Sequence, residues 1–421
     1  MPVEVTDCPM RPITKGPENH FFGYYDKSPW NNRGDAILAH RCASYNRMPA
    51  IGEAVEIGVI DEKRSEEFRP VAKTRAWNFQ QGAMAQWLSD EHIIFNNVND
   101  GTAVASLVRS DGSVEAQYDR PIATISASGA WAVSINFGRL SQLKPEYGYA
   151  GLSDVYAGSR LPVDDGLWRL DLKSGRSDLL LPLSQIAATG PDGDSADAVH
   201  YLNHPMVNRT DDRICFLHRH INRAGTQHTR LFSCRPDGSE LTLLISGMAS
   251  HAGWRNSSEL LAWAGERAML KSAATGFAKR LPVGKILKVL YRALGKPALL
   301  KTTIMNDRYI VFDHDSGTRR DVVRGILRTD GHCSFSPDGD WFVTDTYPDR
   351  NGLTCLFIVK WKSEQVIKIK EFLMPTELDN DVRCDLHPRW HPTAPIICVD
   401  SAHLGSRQMY QIDVSEVVRS A

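Results

Sequence analysis

The stretch HCSFSPDGDWFVTDT (332–346) opens on a histidine, passes an aromatic, turns at Ser-Pro-Asp-Gly and ends in an apolar, β-rich run. That pattern reads as a hairpin, two short strands about a tight turn. Working outward, the same order returns as HPRWHPTAPIICVDS (387–401), HAGWRNSSELLAWA (251–264) and HPMVNRTDDRICFLH (204–218). Looser copies precede them: IATISASGAWAVSIN (122–136), MAQWLSDEHIIFNN (84–97) and GYYDKSPWNNRGDAILAH (23–40).

Most copies are followed by a second strand pair, such as LWRLDLKSGRSDLLL after the third and RLFSCRPDGSELTLL after the fourth. Seven units of four strands specify an all-β chain, a seven-bladed β-propeller of four-stranded antiparallel blades. The reading is a single propeller domain over 1–421, with insertions near 138–166 and 274–302. The last unit ends one strand short at RQMYQIDVSEV, so the segment around Pro12 to Lys15 is expected to supply its fourth strand and cover an exposed edge.

Charge narrows the partners. Lys+Arg 49 against Asp+Glu 50 leaves a net charge of -1, which gives no global field for nucleic acid or an anionic membrane. An anionic ligand must be met locally. No apolar run is long enough for a membrane span and the start lacks a secretory h-region, so a cytoplasmic location is the expectation. The cysteines are scattered without a Cys-x-x-Cys pair and read as reduced thiols. Phosphate loops, the nucleophile elbow and His-Glu-x-x-His are absent. The oligomeric state is not encoded in any of these patterns.

Aligning the units on their turns puts His204, His251, His332 and His387 at one position, early in four successive innermost strands. Innermost strands line the axis of a propeller, so these rings converge. Neutral imidazole is the commonest metal ligand, and such a set without thiolates suits a divalent first-row ion. Asp385, two residues before His387, lies on the same side of its strand and adds a carboxylate. Tyr24 takes the position in the first unit, with Asp26 two residues on; both are candidates for contacting substrate. The run His218, Arg219, His220 ends a second strand, on the face where the channel histidines begin.

HPMVNRTDDRICFLH with the downstream TRLF, SHAGW, and RCDLHPRWHPTAPIICVDSAHLGSRQMYQIDV resemble the corresponding blades of the oligogalacturonate lyases, cytoplasmic seven-bladed propellers with a TolB-type repeat. The likeness is best from Ala198 to Val414. It implies a manganese ion held largely by histidines and β-elimination from short galacturonides. The family's metal histidines fall on His251 and His387, its base on His218, and an arginine of the next strand on Arg230. The family's second histidine and glutamine before the last ligand align with Asp385 and near Val382, so the ligand set is altered.

A metal-dependent lyase for uronate-containing oligosaccharides, with His218 and Arg230 catalytic and Arg219 and His220 binding substrate, is therefore the first reading. A propeller that only binds a carbohydrate or protein is the second, because fold alone implies no activity. An enzyme of polysaccharide assembly on this scaffold is the third.

Overall fold

The computed structural model describes residues 3–61, 67–190, 197–266 and 306–420. The expected insertion near 274–302 lies outside them. Among the described residues the strands form six sheets, five of four or five strands and one of seven. Each sequence unit owns one strand group, because the seven-stranded sheet holds the fourth and fifth units together. The strand Thr242–Trp254 runs through both, as the outer edge of one and the innermost strand of the next. The handover falls at Gly247, which pairs with Thr229, while Met248 pairs with Gly265. Gly247 has φ +139, and a Cβ there would stand 2.5 Å from the Glu266 carbonyl oxygen. Only glycine suits that bend.

The recurrent turn is built by its serine. In unit six the Ser336 carbonyl accepts from Gly339 N at 2.9 Å, and Ser336 Oγ accepts from Trp341 N at 3.0 Å, at the start of the next strand. Ser126 does the same in unit three, taking Gly129 N and Trp131 N. The residues that follow alternate into cores shared by neighbouring sheets, such as Leu261, Trp263, Phe335, Phe342 and Trp361.

The amino terminus closes the last unit as its missing strand implies. Met10–Pro12 pairs antiparallel with Gln408–Asp413. One contact was not foreseen: Glu4–Val5 adds a parallel strand to the outer edge of unit six, so one segment spans two sheets. All eight cysteines are free thiols. Among the described residues no helix is long and apolar enough to cross a membrane.

Neighbouring units are also clasped by side chains. The residue three places beyond the first paired position of each second strand is polar in units one, two, six and seven, and it reaches the next unit's inner backbone. His40 Nε2 accepts from Ala83 N at 3.0 Å, Asn96 Oδ1 from Ile122 N at 2.7 Å, and Asp345 Oδ2 from His387 N at 3.3 Å. Asp400 accepts from Phe22 N and Gly23 N, joining the last unit to the first. The matching residues of units three, four and five are Ile135, Leu217 and Trp263, all buried and apolar.

His40 makes the clasp sensitive to acid. Burial holds its pKa down at about 4 against 6.5 for the free side chain, and protonating Nε2 would remove the acceptor for Ala83. Between those two values the unfolded chain takes up a proton that the folded chain refuses, so stability falls as pH drops through the window and levels off below it. The group alone accounts for about 3 kcal/mol. Denaturant unfolding of His40→Gln should accordingly show a shallower decline from pH 7 to 4 than the parent protein. Parallel profiles would count against this account.

Candidate functional site

Three of the four aligned histidines meet at the axis. The ring centroids of His251 and His332 are 4.1 Å apart, and those of His332 and His387 are 4.4 Å apart. His332, Asp385 and His387 place their ligand atoms within 4.8 Å of one another, and all three are buried. Tyr24 sits against the group, with centroids 5.0 Å from His387 and 6.0 Å from His332.

His204 is close but differently employed. Its ring stacks on Tyr24 at 4.7 Å, its Nε2 lies 3.3 Å from the Tyr24 hydroxyl, and its Nδ1 lies 3.2 Å from Gln81 Nε2. Gln81 Nε2 can only donate, so Nδ1 accepts and Nε2 carries the proton toward the Tyr24 hydroxyl, which engages both nitrogens. The structure thus separates His204 from the other three.

The backbone explains how these side chains are aimed. His204 and His387 have φ of +49 and +44, in the left-handed region that non-glycine residues rarely adopt. Met84, at the same repeat position, has φ +54, so the twist belongs to the fold and two units use it to turn an imidazole inward. The pairing register also shifts between Asn203 and Met206 and between Ala249 and Ala252, placing His204 and His251 inside bulges.

The donor set suits a divalent cation. His251 Nδ1 lies 2.9 Å from Asp330 Oδ1, and His332 Nδ1 lies 2.8 and 2.9 Å from the two oxygens of Asp345. His387 Nε2 is buried with no hydrogen-bond partner. An unsatisfied imidazole nitrogen beside a carboxylate is costly unless something electrophilic meets it. Burial, with neighbouring His332 and Arg389, drives the His387 pKa well down and keeps the ring neutral, the form that ligates. Asp385 is buried, yet Arg383 at 2.5 and 2.7 Å holds it ionised, with its pKa lowered.

Aromatic residues roof the cluster. The insertion expected near 138–166 includes a helix, Phe137–Leu143, and a 3-10 turn, Pro145–Tyr147, that brings the Tyr147 ring 4.9 Å from His204. Arg139 ties the loop down, pairing with Asp154 at 2.8 Å and donating to four backbone carbonyls, including His200 O. From the other side Tyr347 places its hydroxyl 3.4 Å from His251 Nε2, with Arg383 stacked on its ring at 4.4 Å.

The remaining sequence candidates fall into three places. Arg219 faces the mouth, where its charge acts on Tyr147, Tyr201 and His204, and its buried Nε has no partner. Asp26 lies elsewhere, paired with Lys27 at 2.8 Å in a cavity of about 370 Å³ toward the hairpin turns. His218, Arg230 and His220 form a third group. Arg230 Nε donates to His218 Nδ1 at 3.2 Å, and His218 Nε2 lies 3.0 Å from His200 Nδ1.

That pattern fixes the tautomer of His218. Nδ1 accepts, so Nε2 carries the proton and donates to His200. Burial and the adjacent Arg230 charge push its pKa well down. The rest of the Arg230 guanidinium donates to Ile186, Ala187 and Thr189 carbonyls, capping the short helix Leu183–Ala188. His200, His218 and His220 are near enough to share an ion. Coordination through His218 Nε2 would leave that ring no proton unless Arg230 withdrew, so the axial group is the better metal site.

Fold and cluster together define a β-propeller with an imidazole and carboxylate site on its axis. No family description matches the chain, and no curated protein matches its sequence. Among solved structures it is similar to one described as oligogalacturonate lyase in complex with manganese, at 14% identity, 98% of this chain, 95% of that chain and a TM-score of 0.63. It is also similar to an oligogalacturonate lyase from Vibrio parahaemolyticus, at 11% identity, 97% of this chain, 94% of that chain and a TM-score of 0.60.

Sequence reasoning passed over Asp330, Gln81, Tyr147, Arg383 and His200. A signal existed for Asp330, since it precedes His332 by the same two residues that separate Asp385 from His387.

Proposed function

We propose that the protein is a metal-dependent lyase of uronate-containing oligosaccharides, working by β-elimination. The observation that carries the reading is the convergence of His251, His332, His387 and Asp385, with a buried imidazole nitrogen left open. Those four residues would hold the ion, manganese being the first to try because one structurally similar lyase is a manganese complex. A bound divalent cation supplies Lewis-acid stabilisation of the charge that builds on a uronate carboxylate when the neighbouring C5 proton leaves.

The chain's own residues divide the remaining work. Arg219, whose buried Nε has no hydrogen-bond partner, would hold the sugar carboxylate. Tyr24, Tyr147 and Tyr347 would wall the sugar off from water. His218 is the proposed proton acceptor, and it can act only after Arg230 releases Nδ1. That requirement is the specific observation favouring the second reading, a propeller that binds an oligouronide without cleaving it.

The test uses untagged protein loaded with manganese. Elimination creates a 4,5-unsaturated end that absorbs in the near ultraviolet, whereas hydrolysis creates none. New absorbance from a galacturonate, glucuronate or mannuronate oligomer is expected, and His387→Ala should abolish it by stripping the metal. A metal-loaded protein that yields no absorbance from the whole panel would overturn the lyase reading. Only trace metal after supplementation would overturn the site.

A further inference from the structure

We infer that Asp330 and Asp345 are positioning residues for the axial cation, each fixing the tautomer of one histidine. This rests on the proposed metal site and adds to it two residues that are not themselves ligands. Asp345 receives His332 Nδ1 between its two oxygens at 2.8 and 2.9 Å, and Asp330 receives His251 Nδ1 at 2.9 Å. An acceptor-only carboxylate at Nδ1 demands that the proton sit there. The lone pair of each imidazole is therefore delivered on Nε2. Metal-bound histidines generally have such a partner on the other ring nitrogen, which sets ring orientation and ligand basicity.

Three features argue that the pairing is built for this purpose rather than being ordinary ion pairing. Both acids and both rings are buried, so each carboxylate was desolvated to reach its imidazole. The backing is selective: His204, the aligned histidine outside the trio, is met by a phenol and an amide instead. Asp345 also fixes the site's backbone, accepting from His332 N at 2.7 Å and His387 N at 3.3 Å, so one side chain holds the main chain at two proposed ligands.

The arrangement crosses unit boundaries. Asp330 lies a few residues ahead of Ser334–Phe335, the inner strand of unit six, and backs the histidine of unit five, while Asp345 ends the second strand of unit six and reaches into unit seven. Tyr347, whose hydroxyl lies 3.4 Å from His251 Nε2, covers the lone pair that Asp330 exposes. A cation would take the place of that long contact.

The experiment measures metal affinity, not turnover. Chelator-stripped protein is titrated with Mn²⁺ by calorimetry and with Co²⁺ by visible absorption, for the parent, Asp330→Asn and Asp345→Asn. An asparagine keeps the size and one acceptor but can turn its amide nitrogen toward Nδ1, which favours the wrong tautomer. Each variant should bind about 10- to 100-fold more weakly, with an altered cobalt spectrum and with metal-free melting close to the parent's. Asp330→Asn leaves the backbone clasp intact and keeps the test open should Asp345→Asn fail to fold. If the parent binds metal and the folded variants bind within threefold of it with an unchanged cobalt spectrum, the positioning role is wrong while the metal site stands. If the parent binds neither ion, the metal reading itself falls.

Discussion

Replacing His218 by alanine is expected to lower turnover of an oligouronide by about 10² to 10⁴, the usual loss with a general base, while metal content stays at the parent level. The second half follows from position: His218 bonds to Arg230 and His200, not to the axial trio. The first half depends on a change in hydrogen bonding. With Nδ1 facing the Arg230 Nε–H and Nε2 donating to His200, the ring has no lone pair to offer, and its pKa lies well down through burial and the Arg230 charge. A substrate carboxylate that drew Arg230 away would remove both obstacles at once. Steady-state rates with the metal-loaded variant decide the matter. Turnover within tenfold of the parent would move the base to another residue and leave the metal site untouched.

Asp400→Ala is expected to destabilise the folded ring by about 3 to 5 kcal/mol, the range for removing one partner of a buried ion pair. Asp400 accepts from Arg389 at 2.9 Å and from Phe22 N and Gly23 N, and both charged side chains are almost fully buried. Without it the Arg389 guanidinium stays in place with one balancing charge fewer, and two backbone N–H groups lose their acceptor. Set against typical stabilities of about 5 to 15 kcal/mol, that is a large share. The double change Arg389→Met, Asp400→Leu should cost much less, since it deletes the charge as well as its partner. Urea unfolding of the two variants separates the cases; equal losses would mean that packing around Arg389, not charge, holds the closure.

The repeat was legible because its signals are local. A strand alternates with period two, Ser-Pro-Asp-Gly caps its own turn, and a final unit one strand short announces that another segment must finish it. Contacts between units were not legible, because alignment shows which residues are equivalent and not which ones meet. Asp330 and Asp385 share a spacing, but nothing in that spacing says that Asp330 turns to His251. The same limit hid the work of Arg230, whose partners lie on a short helix, Leu183–Ala188, outside the repeated pattern. Alignment put His204 and Tyr24 at equivalent positions of units four and one but could not say that their rings stack on each other.

The continuous strand Thr242–Trp254 has a consequence for access. Its first half completes one blade and its second half opens the next, so the two blades are joined by a strand that bends at Gly247 with no loop between them. An opening to the buried imidazoles is then to be sought away from that seam. The elements over the mouth are the turn Pro145–Tyr147 and the short helix Asn380–Val382, which touch each other and come from units three and seven. Both are brief, surface-borne and tied to the body mainly through side chains. A ligand of the proposed axial site would have to pass these two short elements, and the first of them belongs to the loop that Arg139 holds down through Asp154 and backbone carbonyls.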